Sequence, residues 1–152
     1  MDIKRITEVG IAVRSLDAAT ELFENLFAAE IGKIQEVKQY SMRFRMCRVG
    51  KVDFEVMEPI DEQGVIAEFI KKRGEGLHHI AFAVDDINET MSVMRNKGVK
   101  FVADAPIREC LDTVDYAGRY FSDEIQFSFS HPASILGILF EFIQYPDGYV
   151  AS

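Results

Sequence analysis

The chain has 152 residues, 48% of them hydrophobic, with 25 acidic and 17 basic side chains and a net charge of −8. That much apolar chain can bury the core of one domain or of two small fused modules. The acidic balance argues against a broad nucleic-acid surface, which needs clustered Lys and Arg to replace phosphate counterions. No run is long and apolar enough to span a membrane, and the start Met1-Asp2-Ile3-Lys4-Arg5 leads into a strand instead of a signal-peptide core, so a cytoplasmic protein is expected. Cys47 and Cys110 match neither a disulfide framework nor a zinc ribbon, which fits a reducing compartment and a buried thiol at Cys47.

In chain order, residues 5–13 read as a first strand, and Ser15 as the N-cap of a helix over 16–28 whose apolar face is Leu16, Ala19, Phe23, Leu26 and Phe27. Three strands are expected next. The first covers 31–38, and the second, 42–49, sets Met42, Phe44 and Met46 on one face against Arg43, Arg45, Cys47 and Arg48. Gly50-Lys51 turns the chain tightly into 52–57, which Pro59 ends. A linker over 60–76 contains a helix at 65–73 closed by Gly74 as a left-handed cap; its Lys71-Lys72-Arg73 complements the helix dipole. The order then repeats. Strand 77–84 is followed by a helix over 87–97, with Asp86 and Glu89 in a capping-box pattern, Ile87, Met91 and Met94 as its buried stripe, and Gly98 as its stop. Residues 100–103 begin another strand. Residues 107–122 lack periodicity and read as a long loop or lid, after which 124–130 and 136–145 are strands separated by His131-Pro132.

The repeat has a fixed offset: adding 71 carries Glu8 to His79, Ala12 to Ala83 and Val13 to Val84. Each copy therefore carries a metal-capable side chain at the same place on its first strand. Each last strand holds one carboxylate among apolar residues, Glu55 in Phe54-Glu55-Val56-Met57 and Glu141 in Phe140-Glu141-Phe142-Ile143. A carboxylate buried without compensation is destabilising by several kcal/mol. Solvent-facing positions on half-exposed strands are the alternative, but four such residues at repeat-related places favour a shared metal site of Glu8, Glu55, His79 and Glu141. Adjacent strand residues face opposite ways, so His78 and Thr7 point away if His79 and Glu8 point in. His131 ends a strand.

Glu8-Val9-Gly10-Ile11-Ala12-Val13, Gly74-Glu75-Gly76-Leu77-His78-His79-Ile80-Ala81-Phe82, His131-Pro132 and Glu141 followed by Gln144-Tyr145-Pro146 together resemble the vicinal oxygen chelate (glyoxalase/bleomycin resistance) superfamily, above all methylmalonyl-CoA epimerase, with glyoxalase I as a relative. The resemblance runs from about residue 3 to 147. It implies an α+β fold of two tandem βαβββ modules, one over about 3–59 and one over about 77–147, joined by the linker helix in a single 1–152 domain. Their mixed sheet would curl around a cleft holding one divalent metal ion. The family's first-strand His falls at Glu8, its middle Gln or Glu at Glu55, its second His at His79 and its last-strand Glu at Glu141.

One imidazole with three carboxylates and a divalent ion makes a shell of about −1, suited to Zn, Co, Mn, Mg or Ni more than to Cu. The third strand offers Met42, Phe44 and Met46 where an epimerase can carry a base, and 107–122 replaces the epimerase's Gly-Gly region. The resemblance to glyoxalase I therefore puts the proton chemistry on Glu141 or Glu8. The expected activity is that of a metal-dependent isomerase or lyase working through an enolate, most concretely an acyl-CoA epimerase acting as a homodimer. The alternatives are a glyoxalase-like lyase of a 2-hydroxy carbonyl compound and a non-enzymatic, resistance-type binding protein. A non-haem Fe(II) dioxygenase is disfavoured because its triad would lack the second His.

Overall fold

The structure, a computed structural model, describes residues 1–150; the last two residues of the expected 1–152 domain lie outside the described residues. Apolar alternation and amphipathic spacing produce nine strands and three helices among the described residues, an α+β fold. They group into two compact units, Glu8–His78 and, separately, Met1–Thr7 with the chain from His79 onward. The division falls inside two strands, β1 (Ile3–Ala12) and β6 (Gly76–Val84).

In the Glu8–His78 unit, β1 runs parallel to β5 (Val52–Pro59), with Glu8 opposite Asp53 and Ala12 opposite Met57. β5 returns antiparallel to β4 (Met42–Val49), from Met42 opposite Pro59 to Val49 opposite Val52. Gly50 takes φ +60 in the two-residue connection, a conformation open to glycine because it has no Cβ. The pleat then sorts the side chains. Val56 and Cys47 lie on the face covered by α1 (Leu16–Phe27), in a core with Val13, Leu16, Ala19 and Phe23. Each large apolar side chain so buried contributes roughly 1.5–3 kcal/mol. Ser15 caps α1 as expected, its Oγ accepting from the Ala18 N–H at 3.2 Å. On the opposite face Ala12 and Met57 pack with Ile66 of α2 (Gly64–Arg73) and with Met42 and Phe44.

Several expectations for this unit need correction. The strand over 31–38 is two short strands, β2 (Glu30–Ile31) and β3 (Gln35–Val37), both paired to β4, because Gly32-Lys33-Ile34 interrupts the ladder. Leu26 and Phe27 do not join the buried face of α1 and are 66% and 55% exposed, since the helix ends there beyond the reach of the sheet. Gly74 has φ +78 with an extended ψ of −172, so it ends α2 without a left-handed cap. Arg48 shares the face of Met46, not that of Arg43 and Arg45, because Arg48 pairs with Asp53 and Met46 with Glu55.

In the other unit β6 runs parallel to β9 (Phe140–Gln144), with Ala81 opposite Glu141, and β9 is antiparallel to β8 (Tyr120–Phe129). Val84 and Phe142 pack beneath α3 (Ile87–Asn96) with Ile87 and Met91, as the helical stripe predicts. Asp86 caps α3 by accepting from the Glu89 N–H at 2.9 Å. Ala81, Phe127 and Ile143 form the core of the opposite face.

The largest correction is at 107–122. This segment is no loop or lid: β7 (Ile107–Val114) and β8 form a long antiparallel hairpin from Ile107 opposite Phe127 to Val114 opposite Tyr120. Its charged residues fall on both faces, so no apolar alternation announces it. Asp115 closes the turn, accepting at Oδ1 from the Ala117 and Arg119 N–H groups at 2.9 and 2.8 Å, and at Oδ2 from the Val150 N–H at 3.0 Å and the Arg119 guanidinium. Residues 100–103 contribute only a bridge, Phe101 to Ser130. The strand expected from 136 begins at Phe140, because Leu136 takes φ +55 and is 90% exposed. His131 does end its strand: its Nδ1 accepts from the Ala133 N–H at 3.2 Å and caps a short 3₁₀ turn over Pro132–Ser134.

Candidate metal centre

His79 sits on β6 two residues before Ala81, so it shares the face of Ala81 and of Ala81's register partner Glu141. Across that diagonal the His79 Nε2 lies 3.2 Å from the Glu141 Oε2, with the two side chains 3% and 8% exposed. On the other flank of Glu141, Phe129 of β8 is its direct partner and sets its ring edge-on to the imidazole, with centroids 5.9 Å apart. An imidazole and a carboxylate are thus held together in an apolar wall, where an unpaired charge is strongly disfavoured.

Glu8, in β1, is also buried. One ligand atom each from Glu8, His79 and Glu141 lies within 4.8 Å of the others. Ligands sharing one ion at bond lengths of roughly 2.0–2.2 Å stand about 3–4.4 Å apart. The His79–Glu141 separation already falls in that range. The set of one neutral imidazole and two carboxylates carries two negative charges, which a divalent cation balances. By spacing, donor type and charge, the three residues fit a divalent metal.

Glu55, the fourth expected ligand, is not one of this group. Its register is the repeat equivalent of Glu141, because Gly10 faces Glu55 as Ala81 faces Glu141, and 71 separates the two small residues. Glu55 is half-buried on β5. His78 behaves as its parity requires, packing edge-on against Phe69 of α2 at 5.0 Å. Thr7 meets the Tyr145 hydroxyl at 3.0 Å.

On β4, Met46 is opposite Glu55 and Phe44 opposite Met57, so the expected apolar residues do line the face that carries Glu8. Sequence reasoning missed a charged pair on that same face. The Arg48 Nε and Nη2 donate to the Asp53 Oδ1 and Oδ2 at 2.8 and 3.0 Å. The available signal was parity, since Asp53 is two residues from Glu55 and Arg48 two from Met46.

Residues 7–117 match the family described as Glyoxalase/Bleomycin resistance protein/Dioxygenase superfamily. The mitochondrial methylmalonyl-CoA epimerase of Bos taurus is 25% identical over 104 residues, 68% of this chain and 59% of that protein. The ethylmalonyl-CoA/methylmalonyl-CoA epimerase of Cereibacter sphaeroides is 29% identical over 99 residues, 64% of this chain and 74% of that protein. Among solved structures, a Streptomyces coelicolor methylmalonyl-CoA epimerase variant in complex with 2-nitronate-propionyl-CoA superposes with a TM-score of 0.77 at 26% identity, covering 94% of this chain and 98% of that one. No helix among the described residues is long and apolar enough to cross a membrane.

Proposed function

Because the chain belongs to the glyoxalase/bleomycin resistance protein/dioxygenase superfamily, we propose that it is a divalent-metal-dependent epimerase of an acyl-CoA with a malonyl-type thioester. The observation that carries this reading is the buried His79–Glu141 pair at 3.2 Å with Glu8 beside it. Similarity to methylmalonyl-CoA epimerases supports the substrate class.

His79, Glu141 and Glu8 would hold the ion. A divalent ion there would supply Lewis acidity to two neighbouring substrate oxygens, which acidifies the carbon between them. The proton work falls to the chain's own carboxylates. Glu141 would accept the α-proton while the C–H electron pair moves onto the thioester oxygen, and Glu8, having first taken a proton from solvent, would give it to the other face of the carbon. Release of the Glu141 proton to solvent would return both carboxylates to the ionised state. The apolar ring of Phe129, edge-on to His79, would limit the access of water to Glu141.

The test is metal content together with deuterium uptake at the α-carbon of methylmalonyl-CoA in D₂O. Wild type is expected to retain one divalent ion per chain and to exchange the α-proton. Glu141→Gln keeps the shape but removes the charge; it should lose the ion and reduce exchange at least about a hundredfold, the scale of a lost general base. His78→Asn, His131→Asn and Glu55→Gln should retain both properties. Stoichiometric metal with full exchange in Glu141→Gln would place the chemistry on another residue. Metal binding by wild type without exchange, on this thioester and on 2-hydroxy carbonyl compounds, would favour a ligand-sequestering protein, a reading consistent with the apolar face of β4.

A further inference from the structure

In the unit that contains His79, Glu141 meets a different neighbour on each flank of its strand. On β6 it faces Ala81, which is fully buried, with His79 two residues away on the same side. On β8 it faces Phe129. The Ser130 N–H donates to the Phe140 carbonyl at 2.9 Å, so Ser130–Phe140 is a hydrogen-bonded step of the ladder. Phe129–Glu141, the next step, is then a close one, with Cα atoms about 4.5 Å apart. Phe129 differs from its surroundings in exposure. His79, Glu141 and Phe127 are 2%, 6% and 6% exposed, whereas Phe129 is half-buried, so an apolar side chain that reaches the surface stands directly beside the carboxylate. Behind it the wall stays apolar: Phe127 sets its ring edge-on to Phe129 at 5.9 Å, and Ile143, Ile107 and Ile125 belong to the same cluster.

We propose that Phe129 is a specificity-determining residue: its ring limits the length of the alkyl substituent on the substrate's α-carbon. This rests on the reading of Glu141 as the group that takes the α-proton. A carbon that gives its proton to Glu141 must stand roughly 3–3.5 Å from the carboxylate, which brings its substituent within reach of the side chains flanking Glu141. The two substrate oxygens are drawn to the β6 flank, where His79 and Glu141 would hold the ion. The alkyl substituent projects away from them, to the β8 flank, and meets the Phe129 ring. That ring matches an alkyl group and offers no hydrogen-bond partner to a polar one. A short substituent packs against it, and a long one collides with it. Without the ring, the space opens onto Phe127 and Ile143, so a longer alkyl group gains apolar contact there. A Phe129 that served only to hold the His79 imbazole ring would act otherwise, because its loss would slow every substrate by the same factor.

The experiment compares kcat/KM for α-proton exchange in D₂O on methylmalonyl-CoA and butylmalonyl-CoA, and reads the ratio of the two. Phe129→Ala is expected to raise the butyl-to-methyl ratio by at least about tenfold, the scale of a methylene or more in an apolar pocket. Phe129→Trp should lower it. Calorimetric titration with 2-methyl-2-butylmalonyl-CoA and 2,2-dimethylmalonyl-CoA, which have no α-proton to exchange, should show the same change of preference as binding affinity. Phe140→Leu thins the α3-facing side of β9, where Phe140 packs against Phe82, and should leave the ratio unchanged. An equal fall on both substrates in Phe129→Ala, with the ratio kept, would overturn the proposal, as would Phe140→Leu shifting the ratio as far as Phe129→Ala does. If Phe129→Ala does not fold, Phe129→Leu and Phe129→Trp decide by moving the ratio in opposite directions or failing to. Wild type that exchanges neither thioester would overturn the epimerase reading itself, an outcome distinct from an unchanged ratio, and the binding series then decides the role of Phe129 alone.

Discussion

At the scale of single residues, burial separates groups that composition treats alike. Cys47 is fully buried beneath α1, and burial pushes its thiol up to about 11, whereas Cys110 is exposed on β7. Only a thiolate attacks a disulfide reagent, so Cys47 has neither the charge nor the access to react. The expected outcome with Ellman's reagent at pH 8 is one thiol per native chain and two after denaturation. A second fast thiol in the native protein would mean that α1 does not seal this core. The carboxylates divide in the same way: Glu141 meets an imidazole, Asp53 a guanidinium, and Asp115 a ring of N–H donors.

At the scale of elements, the β7–β8 hairpin is held at its tip by one side chain. Burial acts first to raise the Asp115 carboxyl, but the N–H donors of Arg119, Val150 and Ala117 and the Arg119 guanidinium outweigh it and hold the group down to about 2. An unfolded Asp titrates near 3.9. The stabilisation is therefore complete above about pH 4 and is lost as pH falls through about 2. Asp115→Asn should lower the thermal midpoint at neutral pH and flatten its dependence between about pH 4 and 2. Parallel acid profiles for the variant and wild type would show that the carboxylate does not hold the turn. Because Val150 is one of the donors, the same substitution should also loosen the segment after Pro146, read as faster amide exchange at Val150.

At the scale of the whole molecule, the sheet-covering helices leave apolar side chains in water. Leu22, Leu26 and Phe27 of α1 are 57%, 66% and 55% exposed, with Leu22 and Leu26 one helical turn apart. We propose that a second copy of the chain covers these side chains, because apolar groups left in water favour association. Light scattering at micromolar concentration should give twice 17.3 kDa, and Leu26→Glu should shift the population to 17.3 kDa with its circular dichroism unchanged. A wild-type mass of 17.3 kDa throughout would dispose of the dimer.

The amino-acid sequence by itself determined the features that depend on local periodicity and on the repeat. These are the two first strands, the three amphipathic helices with the Ser15 and Asp86 caps, the Gly50 turn, and the equivalence of Glu8 with His79 along the fixed offset of 71. Each is specified by side chains within a few residues of one another, or by the same pattern written twice. Only the tertiary structure decided the rest. It turned 107–122 into a hairpin whose polar faces hide its period, and delayed β9 to Phe140 behind the turn at Leu136. It also set His79 beside Glu141 and placed Asp53 between Glu8 and Arg48. Which side chains face one another depends on strand pairing, and that is settled by residues far apart in the chain.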